Sequence, residues 1–201
     1  YHIGKYFLNS IINTGIACVG LVLIGAPAAY ALTNYDFPGK RVLNAALAGA
    51  IGLPGIMLMA PLFMMFIKIG AARSTASLWL VYIGTGVPFS VIYLSGFFST
   101  TPRSILEAAL IDGCSHAKAF WKVIFPLAQP GIVTLIVFNF IGYWNEYIWA
   151  LTLCTTPAKK TLAVGLQTIV QGMGNTGNYT GLFASVVLVF LPTVVLFVML
   201  S

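Results

Sequence analysis

The sequence predicts an all-α, polytopic membrane protein, and three observations support this fold class. Of the 201 residues, 59% are hydrophobic and only 7% are charged, whereas about 25% of a soluble domain is charged. Apolar runs of about 20 residues or more recur along the chain, and each is long enough to cross a hydrocarbon core of about 30 Å. A single polar stretch, residues 103–130, separates the third run from the fourth.

About five transmembrane helices are expected, in one domain that covers residues 1–201. Pro-Gly at residues 38–39 and other short charged loops mark the turns between spans. The predicted spans cover residues 7–32, 42–67, 75–98, 131–151 and 182–201, and the polar loop covers residues 99–130. Because the chain begins with Tyr1 and stops inside an apolar run, we expect both ends to be cut, with one or more segments missing upstream.

The second span carries prolines and glycines that predict an interruption. Pro54 and Pro61 each remove a backbone donor and clash with the carbonyl four residues earlier. Inside a membrane, such breaks persist only where protein or a wet cavity satisfies the freed groups. The break is therefore expected either to line a cavity or to serve the close packing of helices.

Residues after Thr161 predict a short amphipathic helix at the membrane surface. Leu162, Leu166, Ile169 and Val170 recur at helical spacing. Thr161 stands directly before them, where a threonine side chain can cap the first turn. The glycine-rich and asparagine-rich stretch 172–181 that follows is expected to be flexible.

Charge and cysteine content exclude several classes of function. The net charge of +6 comes from lysines and arginines in the short loops, where they contact headgroups and influence topology, so nucleic-acid binding is not expected. These cations divide equally between the two predicted sides, so they do not orient the chain. Three widely spaced cysteines and two isolated histidines form neither a disulfide framework nor a metal-ligand pattern.

The polar segment begins with signals for a first short helix. Thr101 can cap it with Pro102 at the first helical position, where the missing amide hydrogen has little cost. Ser104 and Glu107 offer an alternative capping box. The predicted apolar face of this helix consists of Ile105, Leu106, Ala109 and Leu110.

A second short helix is predicted after a glycine turn. Gly113 allows the left-handed conformation that ends a helix, and Ser115 can cap the next one. Phe120 and Ile124 lie one turn apart on its apolar side, and Pro126 ends it. The product is a polar helical hairpin with a hinge at Gly113.

This hairpin resembles the EAA loop of ABC-importer permeases. That motif reads roughly E-A-A, two residues, D-G, six residues, F, three residues, I, one residue, P. The chain has the matching residues at those spacings, with Phe125 where a leucine usually precedes the proline: Glu107, Ala108, Ala109, Asp112, Gly113, Phe120, Ile124 and Pro126. Three further segments are similar to the carbohydrate-uptake branch of the family: Asn9-Ser10, residues 36–41 and residues 144–147.

The resemblance implies a maltose-type permease of a bacterial-type inner membrane that imports a sugar or oligosaccharide. Its partners would be two ATP-binding subunits, which bind ATP and Mg²⁺, a second homologous permease, an extracellular solute-binding protein and the lipid bilayer. Family members have a further N-terminal span and a short tail after the last helix, so the resemblance implies a sixth span and a C-terminal tail for the whole protein. The family places the EAA loop in the cytoplasm, docked in a groove of the ATP-binding subunit. In this chain Glu107 would make a polar contact, Gly113 would be the hinge, and the docking contacts would be Ile105, Leu106, Leu110 and Phe120.

No catalytic constellation and no phosphate-binding loop are visible in the sequence. The chain is therefore predicted to be a transport subunit without enzymatic activity, cofactor or metal of its own. The alternatives are a permease for another class of solute, a secondary transporter and, least favoured, a membrane enzyme. A secondary transporter would need intramembrane ionisable groups for ion coupling, and only Glu146 is available.

Polar and aromatic residues late in the fourth span are candidates for the translocation path. Aromatic rings could stack on sugar faces while amide and carboxylate groups bond hydroxyls. The alternative is an aromatic belt at the membrane interface, with Glu146 exposed to headgroups or paired with the second permease. The candidate residues are Asn139, Trp144, Asn145 and Glu146.

Overall fold

The computed structural model describes residues 3–176 and 179–200, and this part of the chain is helical with no strand. Short 3₁₀ turns lie at Gly55–Leu58 and Pro157–Lys159, and a π-helical turn lies at Phe120–Ile124. The α-helices are α1 Ile3–Asn34, α2 Lys40–Ile51, α3 Met59–Lys68, α4 Thr75–Ser99, α5 Arg103–Ile111, α6 His116–Ala119, α7 Phe125–Leu127, α8 Gln129–Trp144, α9 Ile148–Leu153, α10 Leu162–Thr176 and α11 Tyr179–Leu200.

Long apolar helices confirm the polytopic membrane fold. By length and composition, α1 and α4 are each able to cross a membrane alone. Two bent pairs pass the same test together: Lys40–Ile51 with Gly55–Lys68, bent by 101°, and His116–Leu127 with Gln129–Trp144, bent by 73°. The fifth predicted span coincides with α11, a helix of 22 residues, except for Ser201, which lies outside the described residues.

The predicted interruption of the second span is confirmed. Helix α2 ends at Ile51, Pro54 lies in the gap, and a 3₁₀ turn leads into α3. Pro61 falls in the first turn of α3, where amide groups have no acceptor within their own helix, so its missing hydrogen leaves no helical carbonyl unpaired. Of the residues of α2 and α3, only Phe66 is buried in this chain.

The fourth span differs from its predicted extent of residues 131–151. Helix α8 begins at Gln129 and ends at Trp144, and a break at residues 145–147 precedes the six-residue helix α9. Apolar residues resume at Ile148, directly after the short polar break, which is why hydropathy averaged over a whole span did not separate the two helices. A carboxylate within the break caps the next helix, as described below.

The chain forms two compact units. The first comprises residues 1–17, 56–82 and 137–201, and the second comprises residues 18–55 and 83–136. The boundaries fall inside α1, inside the 3₁₀ turn Gly55–Leu58, and inside α4 and α8. The prediction of a single domain remains a prediction.

The core of the second unit joins the polar hairpin to two long helices. Buried side chains from the C-terminal part of α1 and from α4 pack with residues of the hairpin and of α8. The buried members are Val22, Ala26, Ala29, Tyr30, Leu32, Val91, Leu94, Phe98, Phe120, Ile124, Ala128, Ile132 and Leu135. Partly buried Ile105 and Leu106 of α5 pack against this cluster.

In the first unit, the start of α1 holds the segment that leads into α10. The Asn9 side-chain amide donates to the carbonyl oxygens of Ala158 and Lys160, at 2.9 and 3.0 Å. Helix α10 confirms the helix predicted after Thr161, but Thr161 does not cap it with its side chain, because its buried hydroxyl has no hydrogen-bond partner among the described residues. Instead, Ser10 Oγ accepts from the Leu162 amide at 2.8 Å.

Candidate functional site: the polar hairpin

The first hairpin helix, α5, begins without the predicted side-chain cap. Pro102 occupies the N-cap position with extended backbone angles, and no side chain bonds the first turn. The predictions of Thr101 as a cap, and of a capping box from Ser104 to Glu107, are therefore wrong. The fixed φ of Pro102, −59°, still suits the entry into a helix.

The turn at Gly113 confirms the predicted left-handed helix end. Gly113 has a φ of +79°, a conformation that costs residues with a Cβ about 1–2 kcal/mol. Its amide donates to the Leu110 carbonyl at 3.0 Å, and the Cys114 amide donates to the Ala109 carbonyl at 3.0 Å. This pair of bonds is a Schellman motif, which satisfies carbonyls at the end of α5 and reverses the chain.

Ser115 caps the second hairpin helix, as predicted. Its Oγ accepts from the Lys118 amide at 3.3 Å. The chain then runs through α6, the π-helical turn and α7 before it bends into α8. Pro126 cannot donate a hydrogen bond to the preceding turn, which favours an irregular ladder at this point.

The exposed surface of the hairpin carries most of the predicted motif. Glu107 and Ala108 lie on the exposed side of α5, while Ala109 is buried. Asp112 and Gly113 are exposed at the turn. Ile111, which sequence analysis did not single out, is 85% exposed. In the sequence Ile111 lies between the two acids, next to Asp112 and four residues after Glu107.

Phe120 is corrected from a docking contact to an anchor. Its side chain is 4% exposed and belongs to the core of the second unit, as does Ile124. Its ring centroid lies 4.9 Å from that of Tyr30 and 6.4 Å from that of Phe98. Ile105, Leu106 and Leu110 are intermediate in exposure, and the first two pack partly against the same core. Periodicity identified the apolar face but not what it contacts.

A polar contact also links the hairpin to the end of α1. The Tyr35 hydroxyl and His116 Nδ1 are 2.9 Å apart, and the two rings meet edge to face with centroids 5.6 Å apart. The Tyr35 carbonyl accepts from Lys40 Nζ at 2.9 Å. Lys40 also forms an ion pair with Asp36; this hydrogen bond and the lysine charge hold the pKa of the Asp36 carboxyl below its ordinary value.

In the first unit, Glu146 holds the break between α8 and α9. Its Oε1 accepts from the Trp149 amide at 2.7 Å, and its Oε2 accepts from the Ala150 amide at 3.1 Å. The Tyr82 hydroxyl of α4 also donates to Oε2, at 2.8 Å. A carboxylate at a helix N-terminus both satisfies free amides and complements the helix dipole.

The other path candidates near Glu146 also make contacts within the chain. Trp144 is 1% exposed, and its Nε1 donates to the Val189 carbonyl at 2.9 Å. Its ring packs against Phe7 and Phe140, each with centroids 5.6 Å apart. Asn145 is exposed and donates to the Ile141 carbonyl at 2.9 Å, whereas Asn139 is half-buried. Their assignment to a translocation path remains a prediction.

Comparison with known proteins places the chain in a family. Residues 14–201 match the family described as the binding-protein-dependent transport system inner membrane component. The diacetylchitobiose uptake system permease protein NgcG of Streptomyces coelicolor is 33% identical over 196 residues, which are 98% of this chain and 65% of that protein. The trehalose transport system permease protein SugB of Mycobacterium tuberculosis is 36% identical over 201 residues, which cover 98% of this chain and 73% of that protein.

A third relative and a solved structure agree with this match. The alpha-glucoside transport system permease protein AglG of Rhizobium meliloti is 33% identical over 97% of this chain and 53% of its own length. The chain thus spans between 53% and 73% of these three relatives. A bacterial ABC transporter involved in the import of the acidic polysaccharide alginate shares the fold, with a TM-score of 0.87 and 23% identity over 99% of this chain and 74% of that one. The chain belongs to the family of inner membrane components of binding-protein-dependent transport systems.

Proposed function

We propose that this chain is the membrane-spanning permease subunit of an ATP-driven, binding-protein-dependent importer for a sugar or oligosaccharide. The observation that carries the proposal is the hairpin of α5 and α6, which presents Glu107, Ala108, Asp112 and Gly113 at its surface. The core that it shares with α1 and α4 anchors it through Phe120 and Ile124. A polar element that is fixed to long apolar helices is suited to transmit force from a soluble partner.

The exposed tip of the hairpin supports docking to an ATP-binding subunit. A Cβ added at Gly113 would meet no heavy atom within 4 Å, so the backbone of this turn is open to close approach by another surface. Ile111 beside it is 85% exposed. The acids Glu107 and Asp112 flank this bare backbone and would bond donors of the partner.

Membership of the family supports the wider assembly that we propose. Two ATP-binding subunits would bind ATP and Mg²⁺, and their closure would push the hairpin, while this chain holds no cofactor of its own. A second homologous permease would complete the translocation path, and an extracellular solute-binding protein would deliver the solute. The hairpin then faces the cytoplasm of a bacterial-type inner membrane. The sugar class is supported by the names of relatives that take up diacetylchitobiose, trehalose and alpha-glucosides.

The docking proposal is tested by Gly113→Asp in the intact complex. The chain itself has room for the new side chain, so the variant should insert and accumulate normally. It should lose ATP-dependent uptake and co-purification of the ATP-binding subunit, because the added carboxylate fills the contact surface. Gly113→Asn is the matched control, because asparagine has nearly the shape of aspartate without its charge and tolerates the left-handed conformation about as well. Comparing the two variants separates the effect of the charge from the effect of the side chain's size.

Two results would contradict the proposal. Unimpaired uptake and co-purification in Gly113→Asp would remove the docking role of the turn. Uptake by the purified chain that persists without ATP and collapses with an ion gradient would instead identify a secondary transporter.

A further inference from the structure

Helix α6 and the π-helical turn that follows it are held to the C-terminal end of α1 at two points. The first is buried, where the Phe120 ring packs on the Tyr30 ring with centroids 4.9 Å apart. The second lies at the start of α6, where the Tyr35 hydroxyl meets His116 Nδ1 at 2.9 Å. Tyr30 and Tyr35 also contact each other edge to face, with centroids 5.8 Å apart. Two separated contacts fix the direction of a short helix, whereas one contact would leave it free to pivot.

The surroundings of the second contact are ordered on both sides. On the hairpin side, the Schellman turn at Gly113 and the Ser115 cap set the position of His116. On the α1 side, the Tyr35 amide donates to the Ala31 carbonyl at 3.0 Å, and Lys40 holds the Tyr35 carbonyl. The hydroxyl is therefore presented to the imidazole by a fixed backbone.

We propose that Tyr35 is a positioning residue of the hairpin: its bond to His116 keeps α6 and the end of α1 moving together when the hairpin is displaced. The inference rests on the proposed docking of the hairpin to an ATP-binding subunit and adds the element that receives the motion. Without the bond, a push at the tip rotates α6 about its buried anchor at Phe120, and less of the displacement reaches α1.

The first test measures the distance between spin labels in the purified complex. The labels are attached to cysteines introduced at the exposed positions Phe37 and Lys118, after Cys114 is replaced by serine. The distance distribution of the otherwise unchanged chain should be narrow and keep its mean when ATP is added, because the two segments move as one body. Tyr35→Phe, which keeps the ring and removes the hydroxyl, should at least double the width of the distribution.

Matched variants separate positioning from general loss of structure. Tyr93→Phe is the matched control, because it removes a tyrosine hydroxyl from α4 whose ring stacks on Phe89 and not on Tyr35, so the width should stay unchanged. His116→Asn retains an acceptor near the position of Nδ1 and should restore the narrow distribution that His116→Ala loses. The double variant Tyr35→Phe with His116→Ala should be no broader than either single variant, since both remove the same bond.

The second test measures coupling in liposomes, with trehalose as the transported probe. Loss of one hydrogen bond should lower the trehalose taken up per ATP hydrolysed by about three- to tenfold, with ATP hydrolysis itself within about twofold of the unaltered complex. Equal widths for Tyr35→Phe and Tyr93→Phe would overturn the inference, as would a parallel fall of ATP hydrolysis and assembled complex. Failure of the unaltered chain to assemble with an ATP-binding subunit would instead overturn the proposed function, and with it this inference.

Discussion

The turn at Gly113 and the break at residues 145–147 both redirect a helix, but different groups hold them. At Gly113 the reversal is made by the backbone alone, through a φ of +79° and two amide bonds, and the surface outside it is open. At residues 145–147 the side chain of Glu146 accepts three hydrogen bonds, two of them from the helix that follows and one from Tyr82.

This difference separates a hinge from a fixed corner. The turn at Gly113 leaves its outer surface open to a partner that could displace the hairpin as a unit, whereas opening the corner would strand a carboxylate, a tyrosine hydroxyl and two amides in a partly buried site. Leaving such groups unpaired costs about 1–3 kcal/mol each. The hairpin is therefore the element suited to movement, and the corner is suited to keep α8 and α9 in register with α4.

The largest expected effect is at the corner. Glu146→Ala removes all three acceptor contacts and should destabilise the chain by about 2–4 kcal/mol, measured as a lower thermal unfolding midpoint of the purified complex. Glu146→Gln keeps one oxygen acceptor, so its unfolding midpoint should lie between those of the unaltered chain and of Glu146→Ala. Glu107→Gln, at an exposed carboxylate, is the control and should change the midpoint little. An unchanged midpoint for Glu146→Ala would mean that the carboxylate does not hold the corner.

The next effect concerns the base of the hairpin, where it leads into α8, and contrasts it with the tip at Gly113. A Cβ at Gly131, near the start of α8, would lie 2.6 Å from Phe97 Cδ2, so Gly131→Ala should destabilise by about 1–3 kcal/mol through overpacking. Gly142 is the matched control in the same helix, because a Cβ there meets nothing within 4 Å. Gly142→Ala should stabilise by up to about 1 kcal/mol through helix propensity. Equal shifts of the unfolding midpoint would show that the base is not tightly packed.

At the tip of the hairpin, a substitution of Gly113 should lower stability through the backbone conformation and not through a steric clash. Gly113→Ala meets no atom within 4 Å but must adopt a positive φ, so it should destabilise by about 1 kcal/mol. Gly113→Asn should cost less, because asparagine visits this region more readily. Chemical denaturation of the two variants under the same conditions measures the difference. A larger loss of unfolding free energy in Gly113→Asn than in Gly113→Ala would mean that the space around the side chain, and not the backbone angle φ, limits this position.

The parts of the fold that sequence predicted correctly have local causes. Glycine at a helix end, serine before a helix and proline within a span act through the backbone of their own turn, so Gly113, Ser115 and Pro54 were identified from their neighbours. Apolar runs likewise located the long helices. These signals operate over a few residues and need no knowledge of tertiary contacts.

The parts that sequence could not predict depend on distant partners. Thr161 has the local signature of a cap, yet its hydroxyl has no partner among the described residues, and the first amide of α10, that of Leu162, donates to Ser10, 152 residues away in the chain. From sequence, Glu146 is a candidate for the translocation path, for the membrane interface or for pairing with the second permease. Nothing in the sequence shows that Tyr82, 64 residues earlier, lies beside it. Phe120 lies on the apolar face of its helix in any helical projection. Only the packing shows that its ring contacts Tyr30.

The smallest expected effect concerns a third carboxylate, in the loop between α1 and α2. Asp36 accepts from Lys40 Nζ at 2.9 Å in an i,i+4 ion pair, but it is fully exposed, unlike Glu146. The hydrogen bond from Lys40, then its charge, and more weakly Arg103 lower the pKa of the Asp36 carboxyl. A depressed folded-state pKa means that the pair stabilises the fold above the unfolded pKa of about 3.9, and that this contribution is lost as the pH falls through the folded-state pKa.

Carbon NMR of the labelled Asp36 carboxyl can follow this titration directly. Lys40→Met should raise the midpoint towards about 3.9, Arg103→Met should raise it less, and high salt should also raise it, because exposed pairs are screened. The thermal midpoint at neutral pH should hardly change, since exposed pairs contribute little. An Asp36 titration midpoint that does not change in Lys40→Met would contradict the assignment of Lys40 as the main cause of the lowered pKa. Because Lys40 also holds the Tyr35 carbonyl, the same variant should broaden the distance between labels on the loop and on α6, which links this weak surface pair to the positioning of the hairpin.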